Sequence, residues 1–215
     1  MKLLLLTLLS ASLFSVNASS DTIRIACVGD SITYGAGIKD RKNMNYPVQL
    51  GKMLGQKYEV KNFGNSGSTM LKKGDKPFWK QREYKAALDF NPNIVVIKLG
   101  TNDTKPQNWK HSAEYSDDYK SMISAFAKLS SKPKIYICLP VPVVKTRWGI
   151  TDAIVNKDII PALKKLSAQT KCGIIDLNSP FKDKHQLIPD HVHPNAAGAT
   201  IIAQTVANSI RQPQK

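Results

Sequence analysis

A serine near the start of the chain and an acid–histidine pair near its end have the side chains that nucleophilic acyl transfer requires: Ser31, Asp190 and His193. A serine hydroxyl is a poor nucleophile unless a neighbouring base removes its proton. Only two residues separate Asp190 from His193, so a tight turn lets the carboxylate accept a hydrogen bond from one imidazole nitrogen. The other nitrogen is then free to take the serine proton. We therefore predict that the three side chains meet and work as one unit.

The same chemistry needs hydrogen-bond donors for the negative charge that develops on the substrate oxygen. We expect the backbone N–H groups of Ser31 and Gly67 and the side-chain amide of Asn102 to supply them. Each has a plainer alternative, because glycines mark turns and an asparagine that ends a strand often caps its own backbone. Ser66 is not expected to be the nucleophile, because residues 64–68 fall one residue short of the G-x-S-x-G pattern.

A second histidine, His191, competes with His193 for the role of base. Only His193 leaves the two-residue gap after Asp190, and only His193 stands against the start of the last predicted helix. His191 follows Asp190 immediately, which makes the same geometry difficult. We therefore assign the base to His193 and expect His191 to be a solvated or substrate-contacting loop residue.

The chain alternates between apolar strands and helices, and this alternation must position the reactive residues. The predicted strands lie at 23–28, 58–63, 94–99, 135–139 and 173–177, and the predicted helices at 46–54, 83–90, 113–129, 152–169 and 195–211. Such alternation is typical of a parallel sheet covered by helices on both faces, in which right-handed crossovers bring the carboxyl ends of the strands to one edge. Pro161 is expected to kink or restart its helix. Asn195 is expected to cap the last one.

Four polar segments carry the candidate residues, and each is expected to follow a strand: Gly29–Ser31, Gly64–Ser68, Gly100–Asp103 and Asp190–His193. Open α/β sheets bind ligands at the carboxyl ends of their strands. The sequence therefore predicts one composite site at that edge of the sheet.

Residues 1–18 have the features of a secretory signal peptide: a positive Lys2, a short apolar run and a Val-x-Ala site that ends at Ala18. The apolar run is shorter than the ~20 residues that a membrane-spanning helix needs. We expect cleavage near Ala18, one hydrolase domain over residues 19–215, and a secreted or periplasmic protein without stable membrane insertion.

The chain has 31 Lys and Arg residues against 16 Asp and Glu residues, a net charge of +15. The lysines are spread along the chain rather than clustered, so we interpret them as a solvated surface. No nucleic-acid recognition motif accompanies them, and nucleic acid is not an expected partner. Cys27, Cys138 and Cys172 are expected to be buried thiols without a metal-ligand pattern, although Cys138 and Cys172 could pair across adjacent strands.

Four motifs, in this order, resemble the sequence blocks of the SGNH/GDSL hydrolase superfamily: Gly-Asp-Ser at 29–31, the glycine of Asn-Ser-Gly-Ser at 65–68, Gly-Thr-Asn-Asp at 100–103, and Asp190-x-x-His193-Pro194. The resemblance extends over residues 23–210. It implies a flavodoxin-like three-layer α/β/α sandwich with a five-stranded parallel sheet. His191 departs from the pattern, because relatives often have a glycine there.

The resemblance also implies a role for each candidate residue. Ser31 would be the nucleophile, Asp190 and His193 the acid and base, and Ser31, Gly67 and Asn102 the oxyanion donors. No metal or organic cofactor is implied. The chain looks most like secreted bacterial esterases that remove acetyl groups from carbohydrates, such as sialate O-acetylesterases and acetylxylan esterases. We therefore expect a serine esterase that acts on short acyl esters of a glycan or another small molecule.

Trp79, Trp109 and Trp148 could stack on sugar rings, and Arg147 could meet a substrate carboxylate, although core packing explains each tryptophan equally well. Two other functions stay open. Lysophospholipid or thioester hydrolysis would require a large apolar mouth, whereas these loops are polar. A non-catalytic glycan-binding module would have the same fold and would hold its ligand without cutting it.

Overall fold

Five parallel strands form the centre of the part of the chain that the computed structural model describes, residues 22–212. The strands are β1 Ile23–Gly29, β2 Tyr58–Gly64, β3 Ile94–Lys98, β4 Lys134–Leu139 and β5 Gly173–Asp176. Their order across the sheet is β2-β1-β3-β4-β5, and every neighbouring pair is parallel. The predicted α/β fold with a five-stranded parallel sheet is confirmed.

Helices cover both faces of this sheet. They are α1 Ser31–Tyr34, α2 Arg41–Met44, α3 Tyr46–Leu54, α4 Arg82–Asp89, α5 Pro106–Trp109, α6 Tyr115–Ala127, α7 Asp152–Ile154, α8 Ile160–Thr170 and α9 Ala196–Arg211. Leu50 of α3 and Val206 of α9 belong to the core cluster on one face. Ala87 of α4, Phe126 of α6 and Leu163 of α8 belong to the cluster on the other face. The protein therefore has the three layers that the sequence predicts.

From Ile25 to Val28, strand β1 is apolar because this part of the strand is buried on both sides. Ala26 and Val28 contribute to one core cluster and Ile25 and Cys27 to the other, and all four side chains are 0% exposed. A parallel strand in this position has no solvent face, so polar and apolar residues do not alternate along it.

The largest departure from the predicted helices lies at residues 152–170. Here α7 is followed by a π-helical segment, Val155–Ile159, before α8 begins. Pro161 directly follows the π-helical segment, and the backbone of Ile159 and Ile160 before it is helical. The helix therefore continues through Pro161 without a break, and the departure from regular α-helix lies in the turn that precedes the proline.

Smaller corrections concern the ends of elements. A 3-10 turn at Ser112–Glu114 precedes α6, so the predicted helix 113–129 begins later and ends earlier than expected. Strands β3 and β5 each end one residue before their predicted ends. The cap on α9 is confirmed, since the Asn195 side chain accepts a hydrogen bond from Gly198 N at 3.0 Å.

The three cysteines are free thiols. Cys27 and Cys138 are buried in the core cluster that α3 and α9 cover, whereas Cys172 packs against the cluster on the opposite face. Burial raises the pKa of Cys27 to about 12 and that of Cys138 further. Cys138 and Cys172 thus face different layers, which disfavours a disulfide between them.

The predicted signal peptide, residues 1–18, lies outside the described residues. In the part of the chain that the structure does describe, none of the helices is long and apolar enough to cross a membrane.

Gly100, directly after β3, provides a test of this packing. Its φ is +124°, and a Cβ at this position would lie 2.5 Å from the buried hydroxyl of Tyr115. We expect Gly100→Ala to lower the free energy of unfolding by about 1–3 kcal/mol, because it adds backbone strain and a steric clash. Urea denaturation followed by circular dichroism measures this change.

Gly51→Ala is the matched control, because Gly51 lies within α3 and an added Cβ would meet only Val60 at 3.6 Å. Its stability should be unchanged or raised by about 0.5–1 kcal/mol. Equal stability of Gly100→Ala and wild type would show that the loop after β3 relaxes freely, contrary to this expectation.

Candidate active site

The side chains of Ser31, His193 and Asp190 form one hydrogen-bonded chain. Ser31 Oγ lies 2.8 Å from His193 Nε2, and His193 Nδ1 lies 2.7 Å from Asp190 Oδ2. When Nδ1 donates to the carboxylate, Nε2 is left to accept the serine hydroxyl proton. The structure therefore brings together the three residues that the sequence singled out, in the order that a nucleophile, a base and an acid require.

The turn from β1 into α1 fixes the position of Ser31. Asp30 Oδ1 accepts a hydrogen bond from the backbone N–H of Ile32 at 2.9 Å, which caps the short helix. Ser31 is the first residue of α1, so its own backbone N–H has no acceptor within the helix. Its side chain is 8% exposed and borders a cavity.

A tight turn before α9 holds Asp190 and His193. Asp190 Oδ1 accepts hydrogen bonds from the backbone N–H groups of Val192 at 3.0 Å and His193 at 2.6 Å. Burial raises the pKa of Asp190, but the hydrogen bonds from the backbone and from the His193 ring lower it by more, so the pKa lies below its usual range. The carboxyl group is therefore ionised at neutral pH.

As expected, this turn lies in the loop that follows β5. That loop contains two 3-10 turns that were not predicted, Ser179–Phe181 and His185–Leu187. The turn is positioned by the helix that follows it. Asn195 N donates to Leu187 O at 2.8 Å, which fixes the start of α9 against the preceding segment.

His191 occupies the same turn but does not border the cavity that contains Ser31. Its φ is +73°, a backbone conformation that favours glycine. Its carbonyl accepts a hydrogen bond from Val144 N at 2.9 Å, which joins this turn to the loop after β4. The turn thus keeps the shape that a glycine would allow, with a histidine in its place.

A cavity of about 260 Å³ is bordered both by Ser31 and by the other predicted oxyanion donors. It is lined by Ser31, Ala36, Ser66, Gly67, Asn102, Lys105, Trp148, Ile150 and His193. Asn102 Nδ2 donates to Ser68 O at 3.2 Å, which fixes the amide and leaves its second hydrogen for a ligand. Within residues 22–212 no acceptor engages the backbone N–H of Gly67, and no group of three or more His, Cys, Asp or Glu side chains is arranged to hold a metal ion.

Asp103 connects the loop after β3 with the loop after β2. Its buried carboxylate accepts hydrogen bonds from Met70 N at 3.0 Å and Leu71 N at 2.7 Å. Burial raises the pKa of Asp103 to about 7 and the negative charge of Asp30 adds to the rise, whereas the two backbone N–H groups oppose it. Asp103 therefore holds together the two loops that carry Gly67 and the cavity-lining asparagine.

Trp148 lines the cavity and is 55% exposed, with its ring centre 5.5 Å from that of His193. It forms a two-residue turn with Gly149, closed by backbone hydrogen bonds of 3.1 and 2.8 Å between Arg147 and Ile150. Both turn residues have positive φ, +52° and +79°. The Arg147 guanidinium lies 4.5 Å from the centre of the indole ring. This exposed, strained tryptophan is therefore placed to meet a ligand.

The other two tryptophans are partly buried and pack against the core. Trp79 Nε1 donates to Met70 O at 2.8 Å, and its ring packs 5.3 Å from that of Tyr84. The ring of Trp109 packs 5.6 Å from that of Tyr115. Both contact the cluster that α4, α6 and α8 cover. Of the two interpretations, sugar stacking and core packing, the structure supports core packing for Trp79 and Trp109.

Comparison with known proteins agrees with this architecture. Residues 27–201 match the sequence profile of the GDSL-like Lipase/Acylhydrolase family. The chain belongs to this family. The match covers more than half of the chain and includes Ser31, Asp190 and His193, so the resemblance noted in the sequence is confirmed.

Several proteins that are similar to this chain in sequence or in structure are named as esterases. An acetylxylan esterase from Xylanibacter ruminicola is 42% identical over 209 residues, which cover 89% of this chain and 44% of the relative. The chain thus spans less than half the length of that protein. The M. smegmatis aryl esterase structure superposes with a TM-score of 0.70 at 19% identity, covering 88% of this chain and 98% of its own. A carbohydrate acetylesterase family member from Sinorhizobium meliloti gives 0.69 at 19% identity, covering 88% and 97%. Both structures share the fold.

The sequence did not single out two buried polar residues that hold the loops of this GDSL-like site. Lys98 is 1% exposed, and its Nζ lies 3.0 Å from Asp30 Oδ2. Asp103 is 0% exposed and binds two backbone N–H groups. For Lys98, the available signal was a lysine at the end of an otherwise apolar strand. Asp103 ends the Gly-Thr-Asn-Asp motif, but nothing in the motif indicated that its carboxylate binds the loop after β2.

The bridge made by Asp103 leads to a prediction. An asparagine has only one acceptor oxygen, so Asp103→Asn turns an NH₂ group toward one of the two backbone N–H donors. We expect the free energy of unfolding to fall by about 1–3 kcal/mol. We also expect faster hydrogen exchange at the amides of Met70 and Leu71, measured by NMR or mass spectrometry.

Asp117→Asn, at an exposed position on α6, is the control and should change neither quantity appreciably. Exchange at both amides as slow as in the wild type would contradict the bridging role of Asp103.

Proposed function

We propose that this protein is a serine carboxylic ester hydrolase that removes short acyl groups, acetyl above all, from carbohydrates. The observation that carries this proposal is the 2.8 Å contact between Ser31 Oγ and His193 Nε2, backed by the 2.7 Å contact between His193 Nδ1 and Asp190. A base at this distance is within reach of the hydroxyl proton that it must remove. Membership of the GDSL-like family and the acetylxylan esterase relative give further support.

In the proposed reaction, His193 Nε2 takes the hydroxyl proton of Ser31 while Oγ attacks the ester carbonyl carbon. Collapse of the tetrahedral intermediate breaks the bond to the alcohol oxygen, which leaves with the proton from His193 and gives an acyl-serine. Water then attacks the acyl carbon as His193 accepts its proton, and a second collapse releases the acid and returns that proton to Ser31. Asp190 orients the ring and stabilises the imidazolium.

Three donors are proposed to stabilise the oxyanion: the backbone N–H groups of Ser31 and Gly67 and the Asn102 amide. All three residues border the cavity at Ser31 Oγ. Hydrogen-bond donors that are fixed before the reaction need no reorganisation when charge develops, which makes this the largest electrostatic contribution in many enzymes.

The size of the cavity supports a short acyl group. Its volume of about 260 Å³ is below the ~300–1,000 Å³ of pockets that enclose drug-sized ligands. The lysophospholipase or thioesterase alternative would need room for a long acyl chain. A non-catalytic glycan-binding module does not need a base within hydrogen-bond distance of a serine hydroxyl, so the Ser31–His193 contact argues against it.

Trp148 supports a carbohydrate as the alcohol part of the ester. Its indole ring borders the cavity, and more than half of the side chain is exposed. A flat aromatic face beside the reacting atoms is suited to the apolar face of a sugar ring. We also propose that residues 1–18 direct export, so that the enzyme meets its polysaccharide outside the cytoplasm.

Replacement of Ser31 tests the proposed nucleophile. Wild-type protein should release acetate from a short aryl acetate and should become labelled by a serine-directed phosphonate. Ser31→Ala should lower kcat by roughly 10⁴-fold or more and prevent labelling, because the attacking oxygen is gone. Circular dichroism should show that the variant keeps its fold. A panel of acetylated xylan, acetylated sialic acid, pectin and longer-chain esters then identifies the preferred substrate.

His191→Asn is the control for the histidine assignment, because asparagine tolerates positive φ and this side chain does not border the cavity. It should remain active. Full activity of Ser31→Ala, or loss of activity in His191→Asn but not in His193→Asn, would overturn the assignment.

Replacement of Trp148 tests its proposed contact with a sugar ring. We expect Trp148→Ala to lower kcat/KM for an acetylated xylo-oligosaccharide by roughly three- to tenfold, because a sugar ring loses its stacking partner. The same variant should hydrolyse ethyl acetate, which has no ring, as well as the wild type does. Steady-state acetate release measures both.

Ile174→Ala is the matched control, since Ile174 is also an exposed apolar residue but lies on β5 outside the cavity. It should affect neither substrate. Equal loss on both esters in Trp148→Ala would show that the tryptophan acts through His193 rather than on the sugar.

A further inference from the structure

A buried ion pair lies beside the proposed nucleophile, and the mechanism above does not use it. Lys98, at the end of β3, is 1% exposed, and Asp30 is 0% exposed. Lys98 Nζ lies 3.0 and 3.2 Å from the two carboxylate oxygens of Asp30 and 2.8 Å from Thr101 Oγ1. The ammonium group therefore has three acceptor atoms within hydrogen-bond distance.

Stability alone does not explain this pair. Transfer of two charges from water into a core is costly, and replacement of a buried pair by neutral residues of similar size is often neutral or stabilising. The cap on α1 does not require a charge either, because an asparagine oxygen would accept the N–H of Ile32 as well as Asp30 does. The lysine therefore needs another explanation.

The position of the pair gives that explanation. Asp30 immediately precedes Ser31, and Thr101 immediately precedes Asn102. Strands β1 and β3 are neighbours, and their register aligns these two segments. The ammonium group thus joins the residue before the nucleophile to the residue before a proposed oxyanion donor.

The charge of Asp30 acts beyond its own contacts. It contributes, after burial, to the raised pKa of Asp103, which directly follows Asn102. Because buried charges are only weakly screened, an unpaired carboxylate at this place would oppose a second negative charge on the substrate oxygen.

We propose that Lys98 is a positioning residue whose ammonium group offsets most of the charge of Asp30, so that the oxyanion forms next to an ion pair rather than next to a lone carboxylate. The inference rests on the proposed function, because it concerns the transition state of ester hydrolysis. It predicts an effect on kcat rather than on KM, since the ester carries no charge before attack.

The test compares Lys98→Met with the double variant D30N/K98M on a short aryl acetate. Lys98→Met leaves Asp30 unpaired, so kcat should fall roughly 10- to 100-fold while KM changes by less than about twofold. D30N/K98M removes both charges of the pair and keeps an oxygen for the N–H of Ile32, so kcat should return to within about threefold of the wild type. Lys85→Met, which removes an exposed ion pair on α4, is the control and should leave kcat unchanged.

Circular dichroism and thermal unfolding show which variants fold. Equal losses of kcat in the single and double variants would mean that Lys98 only holds the two loops together, and this would overturn the proposal. A wild-type kcat in Lys98→Met would also overturn it. If Lys98→Met does not fold, the double variant decides: a kcat within about threefold of wild type supports the proposal, and a larger loss overturns it. Failure of the proposed function is distinguishable, because it would appear as absence of turnover in the wild type itself.

Discussion

The hydrogen bond between Ser31 and His193 joins residues 162 positions apart in the sequence, and the whole site depends on it. It forms only if α9 begins at one fixed place relative to the sheet. Gln49 of α3 sets that place, because its amide donates to Ala196 O at 3.3 Å and accepts from the Thr200 hydroxyl at 2.7 Å. Both partners lie in the first turns of α9. The position of the proposed base is therefore set by the packing of two helices on one face of the sheet.

Around this contact the loops are held almost entirely by satisfied polar groups. In residues 22–212, the hydroxyl of Tyr115 is the one buried side-chain polar atom without a hydrogen-bond partner. Asp30, Lys98 and Asp103 each make several hydrogen bonds, and together they tie the loops after β1, β2 and β3 to one another. A network of this kind keeps donors in place before any substrate arrives, which is the condition for electrostatic catalysis.

The sequence was informative where the signal was local. An apolar run that ends in a small polar turn marked Ser31, and the two-residue spacing from an acid marked His193. The sequence was uninformative where the role of a residue depends on which strands become neighbours. Lys98 is the ion-pair partner of Asp30 only because β3 lies beside β1. Trp109 and Trp148 show the same limit, since the residue type is identical but one is in the core and the other at the cavity. Long-range packing, rather than local propensity, made that difference.

The hydrogen bond from Val144 to the carbonyl of His191 has a consequence for protein engineering. It connects the loop that carries the exposed tryptophan with the turn that carries the proposed base, and Val143 and Val192 pack together beside it. A loop grafted from a homologue to broaden substrate range would thus also alter the support of the imidazole. The proposed sugar contact and the proposed base are therefore mechanically linked, so directed evolution of one would have to select for the other at the same time.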